Sequence, residues 1–349
     1  MADKIHLDEC YPYTYVRVTT MKSKLLGRDD YNKLLKMGFG EISKYLQDSE
    51  YKKEINELAL HLRGADLIEA ALDKNLTASF SKLRTISPQE LDLLINAYAK
   101  RFDIFNIKTV IRGKFASLNK EEILSAIKPV GRFNIKLIES MIDADSIEQI
   151  LDISKLFSKK ELNDIKLRFN SMKSLRVIEN ALDKAYFNYI FEFSEMIPKQ
   201  GHLFKEFLLK EIDIVNLKIV LRMKKEGISN EDIMNHIFTV KHIPNWLDKI
   251  IKSNYEEICK ILDITPFKHI IKKHRQEIEN KGSLINLEND LDKYLLKTSL
   301  SLLHQNPLSI DIILGYMFAK EIEIMNLKKL VKGKQLGLDE AFISEQLIV

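Results

Sequence analysis

Amide and basic side chains recur in the same order in three ten-residue segments of the chain, each of which we call a box. The boxes are FNIKTVIRGK at Phe105–Lys114, VNLKIVLRMK at Val215–Lys224 and MNLKKLVKGK at Met325–Lys334. Amide groups donate and accept hydrogen bonds, whereas Lys and Arg side chains bind carboxylates. The box asparagines are twice separated by 110 residues (216 − 106 and 326 − 216), which indicates a triplicated unit.

The polar positions of the boxes are the candidate site residues: Asn106, Lys108, Arg112, Asn216, Lys218, Arg222, Asn326, Lys328 and Lys332. Each asparagine has apolar residues one turn before and one turn after it. This pattern predicts a buried, hydrogen-bonded amide with a structural role, not a ligand. The basic positions favour a solvated face whose alkyl stems lie over apolar surface. The alternative is a basic rim that is presented three times to an acidic partner.

No other pattern in the sequence makes a positive case for catalysis, a cofactor or a metal. The histidines His269 and His274 are five residues apart, which misses the i, i+4 spacing of helical zinc ligands. Glycines do not form a dinucleotide fingerprint or a phosphate-binding loop, and no Gly-x-Ser-x-Gly elbow occurs. We therefore expect a protein that is not an enzyme, with no catalytic, cofactor-binding or metal-binding residues.

The densest basic run is KHIIKKHRQ, and its part Lys268–Arg275 supports an alternative function in nucleic-acid binding. The run has no interleaved aromatic residues on which bases could stack. We interpret it as a solvated face, and expect no nucleic-acid partner.

Two further echoes surround the boxes and define the elements that must position them. Upstream stand IEAALDK, IENALDK and LENDLDK, beginning at Ile68, Ile178 and Leu287, and before them three weaker segments that each end in an aromatic residue, Tyr51, Phe157 or Phe267. Apolar residues at i, i+3 and i+7 make each box helical. Downstream, Asn119, Asn230 and Asp339 precede acidic residues, and we expect each of the three to cap a helix N-terminus.

The composition suits a helical protein without a membrane span. The 349 residues include 45% apolar and 30% charged residues, and the net charge of +4 is too small for a dominant basic field. No run of about 18 uncharged apolar residues occurs, and the N-terminus lacks the apolar core of a signal peptide. The two cysteines, Cys10 and Cys259, suggest no disulfide framework, which fits a reducing compartment such as the cytoplasm.

These patterns together predict an all-α fold of three tandem homologous helical domains, at 1–118, 119–228 and 229–349. A period of about 110 residues has the size of a domain and is too long for a solenoid repeat. Similar neighbours tend to repeat the same contact, which generates a ring if the rotation closes. We expect closure with pseudo-threefold symmetry; the alternative is an open string of domains.

The chain resembles the C subunit of archaeal and bacterial V-type (A-type) ATPases, a relative of the d subunit of the eukaryotic V-ATPase. The resemblance rests on YPYTYVRVTTMKSKLL at Tyr11–Leu26, on the segments Asp103–Lys114 and Asp213–Lys224, and on EIEIMNLKKLVKGKQLGL at Glu321–Leu338. One departure is visible, since Lys332 stands where the first two boxes have arginine.

The resemblance implies an all-helical funnel of three domains with pseudo-threefold symmetry, monomeric within its complex. It implies a non-catalytic subunit that couples the central shaft of the soluble ATPase to the membrane rotor ring, for ATP-driven ion transport or for ATP synthesis. Such a subunit would be cytoplasmic and peripheral, held at the membrane through the rotor ring without direct insertion. Which ion flows, and in which direction the reaction runs, depends on other subunits.

Overall fold

The computed structural model describes residues 11–198, 202–238, 243–305 and 311–348, with backbone only for 299–305. Helices and connecting turns make up these ranges, and no β-strand occurs within them. The prediction of an all-α fold is therefore confirmed. Cys10 lies outside the described residues, and Cys259 is a buried free thiol.

The helices follow one another with short connections. The first seven are α1 Pro12–Lys22, α2 Arg28–Leu34, α3 Phe39–Gln47, α4 Lys52–Leu58, α5 Gly64–Ile86, α6 Gln89–Phe115 and α7 Lys120–Ser125. The next six are α8 Ile135–Ile142, α9 Ile147–Ser154, α10 Lys159–Met172, α11 Leu175–Met196, α12 His202–Lys225 and α13 Asn230–His236. The last are α14 Asn245–Lys252, a 3-10 turn at Tyr255–Glu257, α15 Ile258–Leu262, α16 Lys268–Lys273, α17 Arg275–Glu279, α18 Ile285–Gln305, α19 Asp311–Gln335 and α20 Glu340–Gln346.

The described residues fall into two compact units, one of residues 176–298 and the other of residues 11–175 together with 299–348. In the larger unit α19 packs against α5 and α1, and its first ten residues, 311–320, are all buried. A helix surrounded by protein in this way must be mostly apolar around its circumference. The smaller unit has its own core, in which the rings of Phe187 and Phe238 lie 4.5 Å apart. The division into three domains stays a prediction.

The three box helices α6, α12 and α19 end in the same way. The residue at the turn has a positive φ: 57° at Ser117, 71° at Gly227 and 67° at Gly337. The next N–H bonds back to the carbonyl five residues earlier, as from Leu118 to Gly113 at 2.9 Å. This motif satisfies carbonyls that the helix leaves unpaired and turns the chain sharply. The left-handed conformation costs glycine little, and Ser117 adopts it without that advantage.

A short helix follows each turn, and two of the three predicted N-caps are confirmed. Asn119 accepts a hydrogen bond from the N–H of Glu122, and Asp339 accepts one from Ala341. The prediction for Asn230 was wrong by one residue: Ser229 caps α13, and Asn230 is its first helical residue. The 110-residue register places Ser229 in line with the other two caps, so the repeat itself contained the correct answer.

A second kind of turn also recurs, at the ends of α3, α9 and α15. The hydroxyls of Ser49, Ser154 and Thr265 each donate to the carbonyl three residues back, at 2.6–2.7 Å. Each also accepts the N–H two residues on, at 3.3 Å. Those N–H groups belong to Tyr51, Leu156 and Phe267. The shared turn therefore aligns Leu156, and not the predicted Phe157, with the aromatic residues Tyr51 and Phe267.

Candidate functional site

The three box asparagines make the same pair of hydrogen bonds. Each side chain donates to the carbonyl of the residue 22 positions further on and accepts that residue's N–H, at distances of 2.7–3.0 Å. All three asparagines are at most 3% exposed. The pairs are Asn106 with Lys128, Asn216 with Phe238 and Asn326 with Ile348. Each amide thus fastens the chain behind the short helix back onto its box helix.

The residue three positions before each box asparagine is an acid, and in two boxes it receives backbone N–H groups. Asp103 accepts those of Arg132 and Phe133 at 3.0 Å, directly before α8. Glu323 accepts that of Leu26 at 2.5 Å, directly before α2. A carboxylate near a helix N-terminus is favoured by the exposed amides and the helix dipole. Burial raises the pKa of Asp103, and the two N–H donors oppose that rise.

The residue eight positions after each asparagine is a lysine that donates to the far end of a short helix. Lys114 reaches the carbonyl of Ile142 at 2.6 Å, and Lys224 reaches that of Ser253 at 2.7 Å. Lys334 reaches that of Leu35 at 2.6 Å. These carbonyls lie at the ends of α8, α14 and α2, where the helix dipole favours a cation.

Acid and lysine therefore hold one short helix at both ends. We name α2, α8 and α14 the clamped helices. The acid and the lysine are 11 residues apart on a box helix, which spans about 16 Å and matches a clamped helix of seven or eight residues with its flanking turns. For α14 the described residues show the lysine contact only. The box of the first predicted domain clamps a helix of the second, and the second box clamps a helix of the third. The last box clamps α2 of the first.

Two box lysines also form ion pairs with the aspartates of the upstream echo. Lys218 lies 2.5 Å from Asp292, and Lys328 lies 2.5 Å from Asp73. These carboxylates again belong to the predicted domain that follows in the cycle. The pairs join the box helices α12 and α19 to α18 and α5, and not to the clamped helices.

The arginine position differs between boxes in its contacts as well as in its residue type. Arg222 binds Glu288 through two guanidinium nitrogens, a geometry that lysine cannot reproduce. Lys332 instead donates to Gln335 at 2.8 Å on its own helix. In the first box Lys108 is half-buried and Arg112 is exposed. The three positions thus do not share one contact.

The clamp on α2 contains a buried ionic cluster. Lys320, Glu323 and Tyr51 are 2%, 3% and 1% exposed. The lysine donates to Glu323 at 2.8 Å and to the Tyr51 hydroxyl at 3.0 Å, and that hydroxyl donates to Glu323 at 2.5 Å. Burial and the neighbouring carboxylate raise the pKa of Tyr51, so the phenol stays a donor. Removing one member would leave the others uncompensated in the core.

Sequence reasoning missed two sets of residues that the 110-residue interval aligns. One is the acid before each asparagine: Asp103, Asp213 and Glu323. The other is a lysine: Lys100, Lys210 and Lys320. Applying the interval to every polar residue would have found both sets. In the middle copy, burial raises the pKa of Asp213 to about 6, and Lys210 opposes this rise.

The alternative nucleic-acid run Lys268–Arg275 uses two of its four Lys and Arg side chains in ion pairs within the protein. Lys273 pairs with Asp290 at 2.7 Å, and Arg275 pairs with Asp263 at 2.5 Å. His274 is buried with each ring nitrogen 2.9 Å from a carboxylate, of Glu277 or of Asp290. The observation does not favour phosphate binding by this run. Within the described ranges no cluster of His, Cys, Asp and Glu has the arrangement of a metal site.

Comparisons with known proteins agree with the resemblance seen in the sequence. Residues 14–346 match the family model described as ATP synthase (C/AC39) subunit. The C subunit of the A-type ATP synthase of Methanosarcina barkeri is 34% identical, over 97% of this chain and 93% of its own length. That of Haloferax volcanii is 31% identical over 97% of each, and that of Methanocaldococcus jannaschii is 29% identical over 97% and 86%. Among the helices described, none is long and apolar enough to cross a membrane. The chain therefore belongs to the ATP synthase (C/AC39) subunit family.

Proposed function

We propose that this chain is the non-catalytic coupling subunit of a rotary ATPase, placed between the central shaft of the soluble ATPase and the membrane rotor ring. It serves ATP-driven ion transport or ATP synthesis, as a single copy in the complex. It is cytoplasmic and held peripherally at the membrane through the ring. Family membership supports the complex, and the repeated clamps support the mechanical role.

The clamps support an arrangement of three domains, 1–118, 119–228 and 229–349, around a pseudo-threefold axis. The same lysine contact recurs three times, within the larger unit for Lys114 and Lys334 and within the smaller unit for Lys224. Similar domains that repeat one contact form a ring if the rotation closes. Tyr98 and Phe318 stand at equivalent repeat positions, since 318 − 98 is twice 110, and their rings lie 4.9 Å apart. Equivalent residues touch when both lie beside the rotation axis.

Such a ring suits the transmission of torque because its junctions are directional. Hydrogen bonds at both ends of a clamped helix resist sliding along it, which apolar packing alone permits more readily. The box residues act in this proposal by fixing the junctions, and Asn106, Asn216 and Asn326 do so most uniformly. Partner subunits would bind the surfaces that the closed ring leaves exposed.

The proposal is tested with membranes that carry the rotary ATPase and have been depleted of this chain. Adding back the wild-type chain restores ATP-driven ion pumping, and the tagged chain recovers other ATPase subunits after solubilisation. The variant Glu323→Gln/Lys334→Met, which weakens the clamp on α2, restores less pumping while ATP hydrolysis continues. The matched control Glu121→Gln/Lys136→Met changes exposed residues only and behaves as wild type. Full pumping by depleted membranes, or recovery of no ATPase subunit, would contradict the proposal.

A further inference from the structure

Helix α10 is more exposed than the other long helices of the described chain. It spans Lys159–Met172 and packs against α9, and only Ile165 among its residues is buried. Leu167 and Met172 are 62% and 67% exposed. A helix of this length with a single buried residue has a large surface left for another contact.

The helix and its flanks carry a concentrated positive charge. Residues 155–173 contain six basic and two acidic residues, so their net charge of +4 equals that of the whole chain. The positive and negative charges of the remaining residues therefore cancel. Of the two acids, Glu161 accepts the N–H and hydroxyl of Ser158 in the helix cap, and these hydrogen bonds lower its pKa.

No described residue engages any of the six cations. Lys155, Lys159, Lys160, Lys166, Arg168 and Lys173 are all exposed, and their side chains make no hydrogen bond or ion pair to a described residue. Other basic clusters differ. In the third box Lys328 pairs with Asp73 and Lys334 with a carbonyl, and in the run at 268–275 Lys273 and Arg275 pair with Asp290 and Asp263. The cations around α10 are therefore available to an outside partner.

Their arrangement on the helix is broad, not linear. At 100° per residue Leu167 lies near the middle of the exposed face. Lys159 and Lys166 lie on one side of it, and Lys160 and Arg168 lie on the other. The apolar stripe that contains Ile165 lies opposite and faces the protein. The exposed face is thus a convex, mainly cationic surface about 200° wide, with Leu167 near its centre and the exposed Asp164 between Lys160 and Arg168.

We propose that this face of α10 binds anionic phospholipid headgroups. A broad convex array of flexible cations fits a fluid plane of phosphates, which needs no matching shape. Long basic side chains keep their charges among the headgroups while the stems and Leu167 approach the acyl boundary. An acidic protein surface fits less well, because a stable protein interface needs shape complementarity, and this face offers no groove. The inference does not depend on the proposed coupling function.

The test measures cosedimentation of the full chain with vesicles at low salt. The chain binds vesicles of phosphatidylcholine mixed with phosphatidylglycerol and does not bind pure phosphatidylcholine, and added salt releases it. The variant Lys160→Gln/Arg168→Gln weakens binding about tenfold, since each basic residue near an anionic surface contributes several-fold. Both positions are exposed, so thermal unfolding followed by circular dichroism should match wild type.

The matched control removes the same charge elsewhere, as Lys268→Gln/Lys272→Gln, and binds within about twofold of wild type. Three results would overturn the inference: no binding to anionic vesicles, equal binding to neutral ones, or equal loss in the control pair. In the first case the free cations would be assigned to an acidic protein surface. Because no other ATPase subunit is present, the result is separate from that of the pumping experiment.

Discussion

Replacement of a box asparagine by alanine should remove the same pair of hydrogen bonds in each of the three copies. In Asn326→Ala, the N–H and the carbonyl of Ile348 lose partners at 2.9 and 2.7 Å in a buried site. An unsatisfied buried backbone group costs about 1–3 kcal/mol, so we expect a loss of about 3 kcal/mol for the pair. Asn216→Ala should cost the same, and Asn106→Ala somewhat less, because the bonds between Asn106 and Lys128 are only part-buried.

Amide hydrogen exchange measures the loss of these asparagine–backbone hydrogen bonds directly. The N–H groups of Lys128, Phe238 and Ile348 donate to the asparagines, and in the alanine variants they should exchange roughly 100-fold faster. Asn170→Ala, on the exposed face of α10, is the control and should change nothing measurable.

A carboxylate at the same site separates hydrogen bonding from size. Asn326→Asp keeps the acceptor for the N–H of Ile348 but places negative oxygen against its carbonyl. The buried carboxylate should have a raised pKa in the folded state, so this variant loses stability as the pH rises. Unchanged exchange in the alanine variants, or an aspartate variant as stable as wild type at neutral pH, would refute the reasoning.

Three further predictions concern the clamps and the acid of the second box. Lys320→Met should destabilise the fold by about 3–5 kcal/mol in urea titrations, because it removes one partner of a buried ion pair. Gly131→Ala should lower the melting temperature at a cost of about 3 kcal/mol, since its Cβ would lie 2.0 Å from an Asp103 oxygen. The pKa of Asp213 is raised to about 6, so the contribution of this residue to wild-type stability should fall as the pH rises from about 4 to 6. Asp213→Asn should lack that fall and be more stable above pH 6 by about 1–2 kcal/mol, after allowance for partial exposure.

Each of these predictions has a control within the chain. Adding Glu323→Gln to Lys320→Met should recover part of the loss, because no charge is then left unpaired. Gly40→Ala places its Cβ where no atom lies within 4 Å and should be neutral or slightly stabilising. Asp164→Asn, on an exposed helix face, should not alter the pH profile. A double variant worse than the single one, equal losses at the two glycines, or an unchanged pH profile in Asp213→Asn would each contradict its prediction.

The repeated features that local patterns encode were predictable from the sequence. Helical periodicity gave the all-α class, and the 110-residue interval identified Asn106, Asn216 and Asn326 as equivalent. Local reading failed where two neighbouring residues compete for one role, as Ser229 and Asn230 do at the start of α13. There the 110-residue interval is the better guide, because equivalent caps keep the same position in each copy while the residue type changes between Asn, Ser and Asp.

The clamp itself was beyond single-sequence reasoning. Lys334 and Leu35 are 299 positions apart, and no local propensity connects them. The role of Asp103 is apparent only when the fold places the N–H groups of Arg132 and Phe133 beside its carboxylate. The sequence also does not distinguish Arg275, which is paired in the structure, from the cations of α10, which have no partner among the described residues. Both segments are rich in basic residues.

The closed threefold arrangement is tested most directly by distances between equivalent exposed residues. Spin labels are placed pairwise at Leu118, Ile228 and Leu338, the residues that follow the turns of the box helices, after Cys10→Ser and Cys259→Ala remove the native thiols. The account predicts that the 118–228, 228–338 and 118–338 pairs give the same mean distance within the width of the label. A distance between 118 and 338 that clearly exceeds the other two would show an open string of domains and would contradict the account.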